Sequence, residues 1–131
     1  MKPDEFEARM FRRMNIALVV VVLACALSLV KCHAESGYAT WYGEDYRGHT
    51  MANGLPFNPD ALTCACYGYP LRTVLRVRTE LGRTVYVVVT DRGPSSRMIA
   101  RGIIIDLSRH AFELLATLDH GPLRVRISRA Q

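Results

Sequence analysis

Alternating hydrophobic and polar positions dominate the chain from about residue 36 onward, and this period of two is typical of half-buried β-strands. Five segments of this kind, or short apolar runs bounded by turn residues, predict strands at 37–43, 73–79, 84–90, 101–106 and 123–128. The segment 84–90 carries apolar residues at both odd and even positions, and hence on both faces of a strand. We therefore expect that strand to be central, with both of its faces covered.

The pattern changes over residues 107–118, where it predicts one amphipathic helix. Four apolar residues recur there at helical spacing, namely Leu107, Ala111, Leu114 and Leu115. Either Ser108 or Asp106 can cap the helix N-terminus. With five or six short strands and one helix, the pattern favours a mainly β fold, a small barrel, over a βαβ sheet, because only one helical crossover is available.

The N-terminal region has a different composition. Residues 16–30 carry no charge and follow three arginines, and the small residues Cys32 and Ala34 form a pattern that signal peptidase recognises. A helix that spans a bilayer needs about 20 apolar residues, more than this run offers. We expect residues 1–34 to be a signal peptide cleaved near Ala34, an uncleaved membrane anchor, or a segment lipidated at Cys32. Each alternative predicts an exported protein, periplasmic or attached to the envelope.

Residues 35–131 form the predicted domain, with 12 arginines and nine carboxylates and hence a net charge of +3. That mild charge, without a lysine cluster, argues against nucleic-acid binding and favours an anionic envelope polymer as partner. Cys64 and Cys66 form either a strained bridge or two free thiols. A C-x-C pair without a second pair of ligands predicts no metal site.

Five segments occur in an order that resembles the rare lipoprotein A family. They are "ATWYG" (39–43), "MANGLPFN" (51–58), "ALTCACYGYPLRT" (61–73), "VVVTDRGP" (87–94) and "IIIDLSRHAFELL" (103–115). The resemblance covers nearly all of residues 37–128. It implies a six-stranded double-psi β-barrel, a fold shared more distantly with expansins, barwin-like proteins and family-45 endoglucanases.

The resemblance also implies an activity. Bacterial members of this family are peptidoglycan lytic transglycosylases that cleave glycan strands stripped of their stem peptides. A carboxyl group protonates the glycosidic oxygen and then takes the proton of the C6 hydroxyl, which attacks C1 to close a 1,6-anhydro ring on muramic acid. The reaction uses no metal and no organic cofactor, and a monomer suffices.

The family's catalytic aspartate corresponds to Asp91, at the end of the strand at 84–90. Asp106 either has a structural role, capping the helix or pairing with Arg92 or Arg101, or assists catalysis. Arg92 can hold the carboxylate of Asp91 or a carboxyl group of the substrate in a bidentate pair.

Two positions depart from the family pattern. Leu55 stands where the family has a glutamate, and Cys66 stands where it has a histidine. A leucine cannot exchange a proton, and a thiol is a weak hydrogen-bond donor. His49 lies on the long loop of residues 44–62, a length typical of functional loops, and either reaches the groove or is exposed.

Aromatic residues offer flat faces on which pyranose rings stack. We expect Tyr42 and Tyr46 to line the groove and Trp41 to belong to the barrel core, with Tyr67 and Tyr69 as further candidates. Two other functions stay open at this point. The domain is either a non-catalytic glycan-binding, wall-loosening module like expansins, or an anchored accessory protein whose barrel recognises a protein partner.

Overall fold

The computed structural model describes residues 3–28 and 34–131. These residues fall into two compact units, one within residues 1–33 and the other comprising Ala34–Gln131. The first unit contains helix α1, Pro3–Ser28. No helix of the described ranges combines the length and the apolar character that crossing a membrane requires. The last two residues of the uncharged run at 16–30, and Cys32 with its predicted lipidation, lie outside the described residues.

The second unit is a closed barrel of six strands, which confirms the predicted fold class. The strands are β1 Glu35–Tyr42, β2 Thr63–Ala65, β3 Val74–Thr79, β4 Thr84–Asp91, β5 Ile103–Ser108 and β6 Leu123–Arg129. Around the barrel they follow the order β1-β5-β2-β4-β3-β6, and β6 closes the sheet by pairing with β1. The pairs β1–β5 and β2–β4 are parallel, and the other four are antiparallel.

Side-chain alternation along the strands builds the core. On β3, for example, Leu75 and Val77 are fully buried while Arg76 and Arg78 point to solvent. The whole hydrophobic core cluster lies within residues 39–127. A closed barrel has no free sheet edge, and here every residue of its core belongs to one unit. We therefore expect residues 34–131 to fold without the N-terminal helix.

The strand β4 is less enclosed than its sequence predicts. Val85, Val87 and Val89 point into the core, but Tyr86 on the opposite face is 53% exposed. The prediction that both faces are covered was therefore wrong for the first half of this strand. The prediction also missed one strand, β2 (Thr63–Ala65), which is only three residues long.

The predicted helix over 107–118 is much shorter in the structure. Strand β5 runs on to Ser108, and helix α3 comprises only Arg109–Glu113. Ser108 is its N-cap, as one of the two alternatives predicted, and its side chain accepts a hydrogen bond from the Ala111 amide at 3.3 Å. Leu114 is 48% exposed and so does not join the predicted apolar stripe. A second short helix, α2, Ser96–Ile99, was not predicted.

Candidate active site

Four residues form one lateral row across four neighbouring strands. Thr40 of β1 pairs with Asp106 of β5, Asp106 pairs with Ala65 of β2, and Ala65 pairs with Asp91 of β4. Neighbouring strands lie about 4.8 Å apart, so the Cα atoms of Asp91 and Asp106 are separated by roughly 10 Å. The register of the barrel thus places two carboxyl groups from distant parts of the sequence on one surface.

This row is the floor of an open groove of about 890 Å³. One wall comes from residues 41–46 and the other from Tyr67, Arg92, Ser95 and Met98. The floor stays open between the carboxyl groups because its residues are small. A Cβ atom added at Gly93 would lie 3.2 Å from the Cβ of Ala65 and 3.4 Å from Oδ2 of Asp106. Glycine at this position therefore leaves the Asp106 carboxyl group accessible from the groove.

Asp91 ends strand β4, and backbone amides fix its side chain. Its Oδ1 accepts hydrogen bonds from the amide of Ala52 at 3.0 Å and from that of Arg92 at 2.8 Å. Its Oδ2 has no hydrogen-bond partner among the described residues, and the residue lines the groove. One oxygen is thus used to hold the carboxyl group in place, while the other is available to a substrate.

Asp106 has a more enclosed environment. The Thr40 hydroxyl donates to its Oδ1. Burial raises the pKa of this carboxyl group above its ordinary value, and the hydrogen bond from Thr40 offsets part of that increase. No salt bridge joins Asp106 to Arg92 or Arg101 in the described ranges, and Ser108 rather than Asp106 caps α3. The structural roles predicted for Asp106 were therefore wrong, and its carboxyl group lies in the groove instead.

Tyr42 lines the groove beside both carboxyl groups, with one of its ring faces covered. Its ring stacks on Phe57, with the centroids 4.2 Å apart. Its hydroxyl is buried and has no hydrogen-bond partner within the described part of the chain. Burial raises the pKa of this phenol, and the negative charges of Asp91, Cys64 and Asp106 raise it further. Tyr42 thus lines the groove as predicted, with one ring face stacked on Phe57 and its hydroxyl buried beside the floor.

Three other aromatic side chains present faces to the groove. Trp41, Tyr46 and Tyr67 line it with 36%, 52% and 59% of their surfaces exposed. The indole Nε1 of Trp41 donates to the carbonyl oxygen of Leu118 at 3.1 Å, which fixes the ring at the groove wall. The prediction that Trp41 belongs to the core was therefore wrong. Tyr69 packs against the core.

Arg92 supports the groove through backbone contacts. Its Nη1 donates to the carbonyl oxygens of Cys66 and Tyr69, at 2.6 and 2.7 Å. The guanidinium therefore ties the segment after β2 to the end of β4, where Asp91 lies. The predicted bidentate pair with the Asp91 carboxylate is not formed.

The positions that depart from the family pattern do not reach the groove. Cys66 is 1% exposed, and its Sγ donates to the carbonyl oxygen of Ile104 at 3.6 Å, so its thiol cannot stand in for an imidazole. Cys64 and Cys66 are both free thiols. Leu55 is 61% exposed and outside the groove. His49 is exposed and packs edge-on against Tyr46, with centroids 5.8 Å apart.

A ring of alternating charges supports one wall. Arg47 binds Glu44 at 2.6 Å and Asp60 at 2.8 Å, while Arg109 binds Glu44 at 2.8 Å and also binds Asp60. The two arginines hold the pKa of Glu44 at about 2, below its ordinary value. The ring joins the long loop to α3. In the described residues, no group of three or more His, Cys, Asp or Glu side chains is placed to hold a metal ion.

Comparison with known proteins identifies the family. A family model described as lytic transglycolase matches residues 34–127. The endolytic peptidoglycan transglycosylase RlpA of Rickettsia prowazekii is 39% identical over 101 residues, which cover 74% of this chain and 30% of the relative. RlpA of Vibrio cholerae is 36% identical over 98 residues, covering 74% and 36%. The chain thus spans about a third of the length of these curated relatives.

Solved structures show the same barrel. The Streptomyces papain inhibitor superimposes with a TM-score of 0.60 at 27% identity, over 76% of this chain and 96% of the inhibitor. The expansin of Clavibacter michiganensis superimposes with a TM-score of 0.57 at 24% identity, over 75% of this chain and 50% of the expansin. The barrel, the ordered motifs and the match over residues 34–127 agree, and the chain belongs to the lytic transglycolase family of double-psi β-barrel proteins.

Proposed function

We propose that this protein is a peptidoglycan lytic transglycosylase that cleaves peptide-free glycan strands and leaves 1,6-anhydro-muramic ends. The observation that carries the proposal is the lateral row that places Asp91 and Asp106 on the floor of one open groove. Relatives that are 39% and 36% identical to this chain are named endolytic peptidoglycan transglycosylases. Cleavage of this kind needs a carboxyl group that gives and takes a proton beside a bound glycan strand.

Asp91 is the proposed acid and base. Its carboxyl group gives a proton to the glycosidic oxygen as the bond to C1 breaks, and the resulting carboxylate takes the proton of the C6 hydroxyl as that oxygen bonds to C1. The proton balance closes within one turnover, and water does not enter. The two backbone amides on Oδ1 hold the group still, so the free Oδ2 makes both transfers.

Asp106 is proposed to assist Asp91. Its carboxyl group lies in the same lateral row on the groove floor, and the Thr40 hydroxyl donates to it. Burial raises the pKa of Asp106, so this carboxyl group keeps its proton to a higher pH than an ordinary aspartate and can donate a hydrogen bond to a sugar ring beside the scissile bond.

The groove walls suit a glycan strand. Trp41, Tyr46 and Tyr67 present aromatic faces to the groove. Apolar faces of pyranose rings stack on such surfaces, and binding remote sugar rings positions the scissile bond.

The test measures products from glycan strands freed of stem peptides by an amidase. The wild type should release anhydro-muramic fragments, detected by mass spectrometry. Asp91→Asn should lower the initial rate by about 10²–10⁴-fold, the usual contribution of a general acid–base group. Asp106→Asn, which keeps a hydrogen-bonding amide in place of the carboxyl group, should lower the rate less than Asp91→Asn. Asp119→Asn, at an exposed turn outside the groove, is the matched control and should behave as wild type.

A second function, glycan binding without cleavage, is favoured by one specific observation. The residues at the family's glutamate and histidine positions, Leu55 and Cys66, do not line the groove. If the wild type retains pull-down on the glycan but yields no product, binding without catalysis is correct and the enzyme proposal fails. Product that survives Asp91→Asn would refute the assignment of the acid and base.

The cellular location is part of the same proposal. A wall-cleaving enzyme has to reach the envelope, and the uncharged run at 16–30 supports export through a signal peptide or an anchor. We propose a monomer that meets its substrate in the periplasm or at the envelope. The mass of the mature N-terminus distinguishes cleavage near Ala34, lipidation at Cys32 and retention of the whole segment.

A further inference from the structure

The barrel carries a second charged surface outside the groove. Arg76 and Arg78 of β3 and Arg124 and Arg126 of β6 all point outward on adjoining strands, and we call these four residues the arginine face. Along each strand the two arginines are spaced two residues apart, so their Cα atoms are about 7 Å apart. The positive charges therefore spread in two dimensions over a sheet surface.

The charges of the arginine face are largely uncompensated. Arg78 and Arg126 are directly paired across the two strands, an arrangement of like charges that costs stability. Arg124 binds Glu80 at 3.0 Å. Within the described residues, no carboxylate lies within 4 Å of the guanidinium nitrogens of Arg76, Arg78 or Arg126. An external anion would offset this repulsion.

The arginine face lies across the barrel from the groove. In the strand order, β3 and β6 stand opposite β5 and β2, whose residues form the middle of the groove floor. Four carboxylates line the groove, those of Glu44, Asp45, Asp91 and Asp106, together with two arginines, Arg92 and Arg109, so the groove carries a net negative charge. A domain with separated charges of this kind turns one defined side toward a charged surface.

We propose that the arginine face docks the domain on an anionic phospholipid surface. Guanidinium groups bind phosphate in bidentate fashion, and four of them on two adjoining strands can bind several lipid headgroups at once. Apolar side chains border the face, as membrane association requires. Leu81 at the β3–β4 turn is 94% exposed, Tyr86 is 53% exposed and Val74 is 41% exposed.

The point at which the chain enters the barrel agrees with this orientation. The first residues of β1, Glu35 and Ser36, pair with Ile127 and Arg126 of β6. The polypeptide that arrives from the N-terminal segment thus joins the barrel beside the arginine face. With that face on the lipid, the acidic groove opens away from the membrane. The inference does not depend on the proposed catalytic function, because it uses residues outside the groove.

The test uses residues 34–131, which contain the whole barrel and its core, in sedimentation with phosphatidylcholine vesicles with and without about one third phosphatidylglycerol. The wild type should bind only the anionic vesicles, and added salt should weaken binding. The double variant Arg78→Gln, Arg126→Gln should bind about 30-fold more weakly, since each arginine near the surface contributes roughly fivefold in affinity. Near-ultraviolet circular dichroism confirms that the variant is folded.

The matched control is Arg97→Gln, Arg101→Gln, which removes the same charge on and after α2, a helix that packs against β5. Its binding should change by less than about threefold, because α2 packs against β5, which stands opposite β3 in the barrel. Equal losses in the two variants, or no preference of the wild type for anionic vesicles, would overturn the proposal. Binding to isolated peptidoglycan instead of vesicles, dependent on Arg78 and Arg126, would also overturn it. The face variant should still cleave glycan strands in solution if the catalytic proposal holds.

Discussion

Asp106 is the carboxyl group in the groove whose pKa the folded protein raises. Its ordinary pKa of 3.8 is raised because the folded barrel removes part of its hydration, and the Thr40 hydroxyl restores only part of the loss. A group that is harder to ionise in the folded state than in the unfolded state lowers stability once it is ionised. The site therefore holds a carboxyl group at a cost to the fold.

The first prediction concerns the pH dependence of that cost. The contribution of Asp106 to the free energy of unfolding should fall as pH rises from about 3.8 through its higher folded pKa, because its carboxyl group holds its proton more tightly in the folded state over that window. Asp106→Asn cannot ionise, and its amide oxygen still accepts from Thr40. The variant should gain stability relative to wild type at pH 7 but not at pH 3, as measured by urea unfolding.

Asp119→Asn is the control for this measurement, because Asp119 is exposed in a turn. Its stability difference from wild type should be the same at both pH values. If Asp106→Asn instead loses the same amount of stability at pH 3 and at pH 7, the side chain contributes through packing, and its ionisation does not destabilise the fold.

Single-residue predictions from the sequence were accurate where motif and position agreed. Asp91 is at the end of its strand, facing the groove, as the segment "VVVTDRGP" predicts. Trp41 was wrongly predicted to lie in the core, because it comes two residues after the buried Ala39 and residues two apart in a strand point to the same face. Strand β1, however, ends at Tyr42, where the barrel opens into the groove. The alternation of side chains along a strand does not show where the barrel ends.

At the scale of elements, α3 depends on one hydroxyl. The Ser108 side chain donates to the carbonyl oxygen of Ala61 at 2.5 Å and accepts from the Ala111 amide at 3.3 Å. It thereby links the long loop, the end of β5 and the helix. Because Ser108 is fully buried, no solvent replaces either bond when the hydroxyl is lost.

Ser108→Ala should therefore destabilise the domain by about 2 kcal/mol, the sum of a lost cap and an unsatisfied buried carbonyl oxygen. Ser95→Ala is the matched control, since Ser95 is the N-cap of α2 but makes no side-chain capping bond. It should change stability by less than about 0.5 kcal/mol. Thermal unfolding compares the two, and equal effects would contradict the role assigned to Ser108.

The elements themselves were predictable in proportion to their length. Strands β1, β3, β4 and β6 have at least six residues, and their period-two pattern located them within about two residues. Strand β2 escaped because three residues cannot display a period. The helix after β5 was overestimated since buried strand residues such as Leu107 also fit a helical spacing.

Closure of the barrel is a property of the whole molecule that no segment reveals. Strand β1 finds its partners at β5 and β6, more than sixty residues away along the chain. The same distant pairings create the site, because Asp91 and Asp106 become neighbours only through Ala65 of β2. The sequence therefore indicated which carboxylates to consider. Only the pairing register of β2 with β4 and β5 shows that the two carboxylates lie in one row.

The last prediction tests closure directly by removing β6. A chain of residues 34–121 loses the buried side chains of Leu123, Val125 and Ile127 and leaves β1 and β3 with open edges. Burial of such side chains contributes about 1.5–3 kcal/mol each, so their loss approaches the whole stability of a small domain. This fragment should be unfolded by near-ultraviolet circular dichroism, whereas residues 34–129, which keep all six strands, should fold. A folded fragment 34–121 would show that the barrel does not need its closing strand, and β6 would then serve mainly to present the arginine face.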